Sequence, residues 1–347
     1  MKRIFVAKLL LCIVVSFLYS CSNSDRKEEG VLFLDIVPAQ IFQEDLNGIY
    51  LTEAKIGIDS FDVFIAISHQ GLIMKTDSLL NLKSFVNGRD YLPDFDFPLH
   101  LSVLHDKLIV EEMAYQRIFT LNKGDFEYIN SRKFPTSSQG ISFSMSPQNR
   151  LIYSSYPEAG KTGLVWLDME SGHLQTSKVF MPQEKVRLSD QLRLGCFCQQ
   201  GSWSVGRFLP ILEQLDPNGN VANQVDLTIY EPLKRGFDTL MTRRANDPDF
   251  ETNRKIQNLV TSLDCWDNKL LIGFTDMVGS NRTNIRHLLL FATDQEGDVF
   301  LEKILRLKTG NDDEMYHFQA VKYNPITSFL YAQGSETNYI YAFKVNL

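Results

Sequence analysis

The chain repeats one local pattern: a short run of strand-forming residues, followed by a longer hairpin with Gly, Asn or Asp at its tip. The short runs are rich in Ile, Val, Leu, Phe and Tyr, which suit a pleated, buried surface. They begin near positions 62, 106, 149, 201, 268 and 328. Six copies in the same order predict a repeat architecture in which each unit buries its apolar face against the next one.

The spacing of the short runs indicates the size of the repeating unit. Successive runs are 44, 43, 52, 67 and 60 residues apart. The first two spacings match a compact four-stranded blade, and the longer ones predict insertions, the largest at about residues 228–262. The hairpin tips contain Gly, which supplies the positive φ of tight turns, as in Lys123-Gly124-Asp125 and Glu170-Ser171-Gly172.

The two ends of the chain complement each other. The last unit stops one strand short, at residues 338–347, whereas residues 31–37 (VLFLDIV) form a strand-like run without a unit of their own. A ring in which an N-terminal strand completes the last blade leaves no exposed sheet edge. We therefore predict an all-β fold over residues 31–347: a six-bladed β-propeller closed by pairing of residues 31–37 with 338–347, with a short helical insertion.

The first 20 residues have the three parts of a secretory signal peptide. A basic start precedes an apolar run at residues 9–18, which is shorter than the roughly 20 residues needed to span a bilayer. Leu18-Tyr19-Ser20-Cys21 then resembles the lipobox of bacterial lipoproteins, although Tyr19 replaces the usual small residue. This resemblance implies lipidation of Cys21; an ordinary signal peptide followed by a chance cysteine is the alternative.

Residues 21–30 continue as a polar, charged segment that cannot bury enough apolar surface to fold, which is typical of a flexible tether. Within it, Lys27-Glu28-Glu29 resembles the acidic export signal of surface lipoproteins in Bacteroidota. Both a surface-exposed and a periplasm-facing position at the outer membrane remain open.

Charge and cysteine content argue against a nucleic-acid-binding protein and against a protein held together by disulfides. The net charge is −7, and removal of the signal peptide with its three basic residues leaves about −10, which argues against nucleic acid as a partner. Besides Cys12 and Cys21, only Cys196, Cys198 and Cys265 remain, and an odd trio is not a disulfide framework. No His lies within twenty residues of Cys196 and Cys198. Inert thiols, an incidental disulfide, and a metal or redox role all remain open for the three.

The lipobox, the short tether and the six degenerate blades together resemble the TolB-like six-bladed propeller lipoproteins of Bacteroidota. The resemblance covers residues 1–347 in layout and rests on no catalytic motif. It implies a fold and a location in the cell envelope more than an activity, because that family is largely without assigned activity.

No Gly-x-Ser-x-Gly elbow and no His-Glu-x-x-His pair occurs, and the sequence predicts neither a cofactor nor a metal site. This favours a binding or scaffold module for a glycan, a peptide or a partner protein. The alternative is an envelope hydrolase or lyase whose site is assembled from several blades in the central channel. Facing carboxylates or histidines in that channel would indicate the enzyme. Arg187, Arg193 and Arg207 flank one predicted inner strand, and we interpret them as solvated surface charges.

The largest insertion, at residues 230–260, lacks the alternation of a blade strand. Its apolar residues have helical spacing, which predicts one or two turns of helix that end at Asp247-Pro248. One interpretation is a decorative surface loop. The sharper hypothesis is that the insertion caps one mouth of the channel and binds an anionic ligand or partner through Lys234, Arg235, Arg243 and Arg244.

Overall fold

The computed structural model describes residues 32–43, 51, 54–90, 98–112, 117–133, 144–146, 148–158, 161–176, 192–198, 201–246, 259–275, 285–294, 297–308, 318–334 and 339–347. The predicted signal peptide, Cys21 and the tether lie outside these ranges. Phe33–Leu347 form one compact unit.

The described residues form 25 strands and one α-helix. The chain begins with β1 (Leu32–Ile36) and β2 (Gln40–Gln43). Four antiparallel four-stranded blades follow. The first contains β3 (Ala54–Ile58), β4 (Asp62–Ile67), β5 (Leu72–Asp77) and β6 (Leu82–Asn87), and the second contains β7 (Pro98–Leu104), β8 (Lys107–Glu112), β9 (Arg117–Asn122) and β10 (Tyr128–Lys133). The third contains β11 (Ser144–Met145), β12 (Arg150–Glu158), β13 (Lys161–Asp168) and β14 (Leu174–Thr176), and the fourth contains β15 (Arg193–Cys198), β16 (Gly201–Gly206), β17 (Ile211–Leu215) and β18 (Val221–Asp226).

The last two blades share one larger sheet. The fifth contains β19 (Val260–Trp266), β20 (Lys269–Thr275), β21 (Ile285–Thr293) and β22 (Val299–Leu307), and the sixth contains β23 (Phe318–Asn324), β24 (Phe329–Gly334) and β25 (Tyr339–Lys344). A single pairing between Ile285 and Phe318 joins the two blades.

The first strands of the six blades form the inner ring. They contact one another in a closed cycle, from β3 through β7, β11, β15, β19 and β23 back to β3. This cycle surrounds a central channel and confirms the predicted six-bladed propeller. The six short runs seen in the sequence are the second strands of the blades, and the downstream hairpins are the third and fourth strands. Second strands dominate the pattern because they are buried almost throughout, as β4, β16 and β24 illustrate.

An N-terminal strand closes the ring, as predicted, but it is a different strand. β2 pairs antiparallel with β25, and Phe42 lies opposite Ile340. β1 instead adds to β22 at the edge of the fifth blade, so the predicted pairing of residues 31–37 with 338–347 is wrong. At this edge Asp35 pairs with Arg306 at 2.7 Å and with Lys308 at 2.8 Å, and Ile36 is buried in the core cluster of the fifth and sixth blades.

A recurrent polar turn links the third and fourth strands. In the first five blades an Asp or Asn at the end of the third strand accepts hydrogen bonds from backbone N–H groups of the turn, at 2.7 to 2.9 Å. These residues are Asp77, Asn122, Asp168, Asp216 and Asp294. The side chain thereby satisfies turn donors that the strands cannot pair.

The insertion between the fourth and fifth blades forms α1 (Glu231–Asn246), a helix of 16 residues. It is longer than the predicted one or two turns, and Asp247-Pro248, which were predicted to end it, lie outside the described residues. Leu233 and Leu240 are fully buried, and Leu240 packs with Phe208 from the loop between β16 and β17. Gly236 allows this close approach, because a Cβ there would lie 2.7 Å from Leu259. Within the described part of the chain, no helix is both long and apolar enough to cross a bilayer.

Candidate functional site

A cavity of about 280 Å³ occupies one end of the central channel. Its walls come from the last residues of the inner strands and from the turns that follow them. Five blades contribute: Gly57, Ile58, Asp59 and Ser60; Leu101, Ser102 and Val103; Ser144; Asp264; and Lys322, Tyr323, Asn324, Pro325 and Ile326. Each of these five inner strands or its following turn brings one or a few residues to this end, so the site is assembled from distant parts of the sequence.

Asp264 and Lys322 form the charged part of the cavity wall. Their side chains pair at 3.1 Å, and the backbone N–H of Tyr323 donates to the second carboxylate oxygen of Asp264, also at 3.1 Å. Burial lowers the pKa of Lys322, but the nearby Asp264 carboxylate reverses this effect, and the net shift of the pKa is upward. The Lys322 ammonium therefore stays charged inside a partly enclosed site.

The turns of the sixth and first blades form the rim of the cavity. The Asn324 amide holds them together by donating to the carbonyl oxygens of Asp59 at 3.0 Å and Ser60 at 3.2 Å. Beside this link, the side chains of Phe61 and Ile326 are 67% and 61% exposed. Ile326 lines the cavity and Phe61 directly follows the lining residue Ser60, so two large apolar side chains are exposed on the turns beside the cavity.

The second carboxylate of the cavity is also paired. Asp59 lies 2.6 Å from the ammonium of Lys123, which comes from the turn of the second blade. Each of the two carboxylates that line the cavity thus faces a lysine rather than another acid. The lining residues, all within the described part of the chain, include no histidine.

Arg193 is buried in the fourth blade, so its interpretation as a solvated charge is wrong. Its guanidinium lies 2.7 Å from the Glu213 carboxylate and donates to Ser204 at 3.0 Å. Burial lowers the pKa of Arg193 and raises the pKa of Glu213, so each group depends on the other to remain charged. Arg207 is half-buried, and burial lowers its pKa to about 10. Arg187 lies outside the described residues.

Of the four basic residues of the insertion, Lys234 and Arg235 are not among those that line the cavity. α1 packs beside the loop between β16 and β17, at the end of the channel where the inner strands begin, because Gly206 at the end of β16 pairs with Arg193 at the start of β15. Lys234 and Arg235 are exposed on α1, and Arg235 lies 3.5 Å from Glu231. Arg243 and Arg244 belong to the last turns of the helix, and their side chains lie outside the description.

The three cysteines of the propeller come together at the boundary of the fourth and fifth blades. Cys196 and Cys198 are on β15, Cys265 is on β19, and no disulfide joins them. Burial raises the pKa of the Cys265 thiol well above its usual range, and hydrogen bonds with Cys196 and Cys198 add to the effect. Among the described residues, no group of three or more His, Cys, Asp and Glu side chains is arranged to hold a metal ion.

Comparison with known proteins supports the fold. The β-propeller domain of Cps50 (Swd1) from Myceliophthora thermophila superimposes with a TM-score of 0.56 at 9% identity, over 88% of this chain and 100% of that one. A Bacteroides fragilis protein assigned as exported gives a TM-score of 0.51 at 9% identity, over 90% and 98%. The fold is a β-propeller. No protein-family model and no curated protein sequence matches the chain.

The sequence argument missed Asp264 and Lys322 as site residues, although a signal was present. Each short apolar run marks the second strand of a blade. The residues just before the turn that leads into this run therefore lie at the end of the inner strand. Asp264 and Lys322 both occupy such positions, six residues or fewer before the runs at 268 and 328. Polar residues at these positions are the ones that face the channel end.

Proposed function

We propose that this propeller is a binding module of the cell envelope and that its binding site is the cavity with the Phe61–Ile326 rim. One observation carries the proposal: Ile326 at the cavity and Phe61 next to the lining residue Ser60 are both exposed, while the charged groups of the cavity are already paired. Exposed aromatic and aliphatic anchors beside a pocket, surrounded by polar groups, are the usual composition of a protein-binding hot spot.

The pairing of the charges favours binding over catalysis. A general acid and base need groups of different pKa that face a common substrate, whereas Asp59 and Asp264 each face a lysine. In that arrangement, the Lys322 ammonium can donate and the Asp264 carboxylate can accept further hydrogen bonds with a polar ligand. The Ser102 and Ser144 side chains add small polar groups to the same wall.

The occupant we favour is an extended segment of a partner protein. An apolar side chain of the segment would pack between Phe61 and Ile326, and its backbone amide groups would reach Asp264 and Lys322. A glycan fits less well, because both carboxylates that could accept hydrogen bonds from sugar hydroxyls are already paired with lysines.

The test removes the apolar rim without altering the channel. In the producing bacterium, partners are covalently cross-linked to the wild type, to Phe61→Ser/Ile326→Ser, and to a control, Phe85→Ser/Leu82→Ser, and quantified by mass spectrometry. Phe85 and Leu82 are 60% and 47% exposed on the outer strand β6, so the control removes similar apolar surface elsewhere. We expect the rim variant to lose at least 90% of one partner that the control retains; equal recovery would refute the proposal.

The second candidate function, a hydrolase or lyase, has one observation in its favour. His100 and Glu111 lie 3.9 Å apart, both buried, near the start of inner strand β7 and thus at the opposite end of the channel from the cavity. An imidazole beside a carboxylate is a common acid–base pair. If His100→Gln removed a hydrolytic activity of the purified protein towards envelope glycans or peptides, this function would replace the binding module.

We place the protein in the envelope as part of the same proposal. The boundaries are a signal peptide at residues 1–20, a tether at 21–30 with lipid on Cys21, and the propeller at 31–347, in the manner of the TolB-like lipoproteins. Two similarities support export: residues 18–21 resemble a lipobox, and the fold is similar to that of the Bacteroides fragilis protein assigned as exported. The lipid anchor would hold the binding face near an outer-membrane partner.

A further inference from the structure

Three thiols that are far apart in the sequence meet at one blade boundary. Side chains of successive strand residues point to opposite faces, so Cys196 and Cys198 share a face of β15, while Phe197 between them packs against Trp166 of the third blade, with ring centroids 6.0 Å apart. Cys196 and Cys198 therefore face the fifth blade.

Cys265 faces them from the other side of the boundary. Its neighbours on β19 turn towards the sixth blade, where Asp264 pairs with Lys322 and Trp266 lies against Tyr323, with centroids 4.4 Å apart. Cys265 must then point back towards the fourth blade. β15 and β19 are neighbouring strands of the inner ring, and the Cys265 thiol lies within hydrogen-bonding reach of both other thiols.

We propose that Cys198 and Cys265 are an oxidation site that links the fourth and fifth blades by a disulfide. Cys265 interacts with both other thiols, so it is the common partner of any bond in the trio. Cys198 and Cys265 are both partly exposed, whereas Cys196 is only 3% exposed, so an oxidant reaches Cys198 and Cys265 more readily than Cys196. A bond between Cys196 and Cys198 is disfavoured, since two residues of extended strand separate their Cα atoms by about 6.6 Å with parallel side chains.

The oxidant in this step is a small-molecule disulfide, RSSR. The Cys198 thiol loses its proton, and the thiolate attacks one sulfur of RSSR, which forms a mixed disulfide and releases RSH. The Cys265 thiol then loses its proton and attacks the Cys198 sulfur, which forms the protein disulfide and releases a second RSH. Two protein thiols lose two electrons and two protons, and one RSSR gains them.

Burial raises the pKa of Cys196 and of Cys265, so little thiolate forms there at neutral pH. Oxidation should consequently be slow at pH 7 and accelerate towards pH 9.

The experiment uses residues 22–347, which keep the whole compact unit Phe33–Leu347 and lack Cys12 and Cys21. The protein is incubated with oxidised glutathione at pH 7 and pH 9, quenched with acid, and analysed by intact mass and by peptide mapping. We expect loss of two hydrogen atoms, with the peptides of Cys198 and Cys265 joined, faster at the higher pH.

Single serine variants separate this site from unspecific oxidation. Cys265→Ser should give only glutathione adducts, Cys198→Ser should form the bond at least tenfold more slowly, and Cys196→Ser should form it as the wild type does. Circular dichroism of the reduced variants confirms that all three are folded. A wild type that retains three free thiols, or a disulfide that persists in Cys265→Ser, would overturn the proposal.

Discussion

Arg193 and Glu213 form an ion pair of 2.7 Å inside the fourth blade, where the exposed fractions of their side chains are 5% and 1%. Arg193 also donates to the carbonyl oxygen of Ile211 at 2.9 Å, so one guanidinium ties the inner strand to the third strand of the blade. Because both charges are withdrawn from water, each is tolerated only in the presence of the other.

Replacement of one partner of this pair should lower the free energy of unfolding far more than replacement of both. We expect Glu213→Ala to lower the free energy of unfolding by about 3–5 kcal/mol, because it leaves Arg193 buried without a counter-charge. The double variant Arg193→Met/Glu213→Leu should recover most of that loss. Urea unfolding followed by circular dichroism measures both; a double variant as unstable as Glu213→Ala would contradict the assignment.

Closure of the ring can be tested with two adjacent residues of β2. Phe42 packs into the core between the sixth and first blades, whereas Ile41 is 45% exposed on the other face of the strand. Phe42→Ala should lower the free energy of unfolding by about 2 kcal/mol and Ile41→Ala by about 0.5 kcal/mol. Similar losses for the two variants would argue against pairing of β2 with β25.

Acid should weaken the polar turns in a defined direction. Hydrogen bonds from the backbone N–H and the hydroxyl of Ser171 lower the pKa of Asp168 below its ordinary value of 3.8. The carboxylate therefore contributes stability that is present above pH 3.8 and is lost as the pH falls through the lower pKa of the folded state. Asp168→Ala should have a lower melting temperature than the wild type at pH 7, and this difference should shrink below pH 3.8. A difference independent of pH would rule out the carboxylate as its source.

The basic residues of α1 provide a second, independent test of binding. If α1 caps the channel mouth and holds an anionic partner, replacement of Lys234, Arg235, Arg243 and Arg244 by alanine should abolish recovery of that partner by cross-linking. The melting temperature should stay within about 2 °C, since Lys234 and Arg235 are exposed. The rim variant serves as the reference, because the cavity is at the other end of the channel. Unchanged recovery would leave α1 as a surface element.

Lipidation rests on Cys21 alone. Cys21→Ala should abolish incorporation of a fatty-acid probe and leave unprocessed or soluble protein, because stable anchoring needs the acyl chains attached there. Cys198→Ser is the matched control and should be labelled as the wild type is. Equal labelling of Cys21→Ala would refute the lipobox.

The sequence could predict the blade number because each second strand is buried on both faces, and a run such as residues 62–67 (DVFIAI) leaves few alternatives. It could also predict that the ends of the chain meet. It could not identify β2 as the closing strand, because β2 (QIFQ) has only two apolar residues, whereas residues 31–37 form a longer apolar run. The contacts of Asp35 with Arg306 and Lys308 join residues far apart in the chain and leave no local pattern.

The site was harder to predict than the fold for a related physical reason. Asp264 and Lys322 are single polar residues at strand ends, 58 positions apart, and neither carries a local motif. Arg193 was interpreted as a surface charge because its partner, Glu213, is two strands away. Contacts between strands that are distant in the chain can be inferred from the sequence only through the period of the repeat. The insertions make that period irregular.

The pairing of β2 with β25 also sets the order in which the protein can be completed. β2 is among the first segments of the propeller to be synthesised, and its partner β25 is among the last. Phe42 therefore cannot pair with Ile340 until translation of the chain is almost complete. Contacts this distant in sequence slow folding, and until they form, both strands present open edges. A chaperone or a second chain has that interval in which to bind the sixth blade, and a ribosome that stalls before residue 340 yields a product that cannot close.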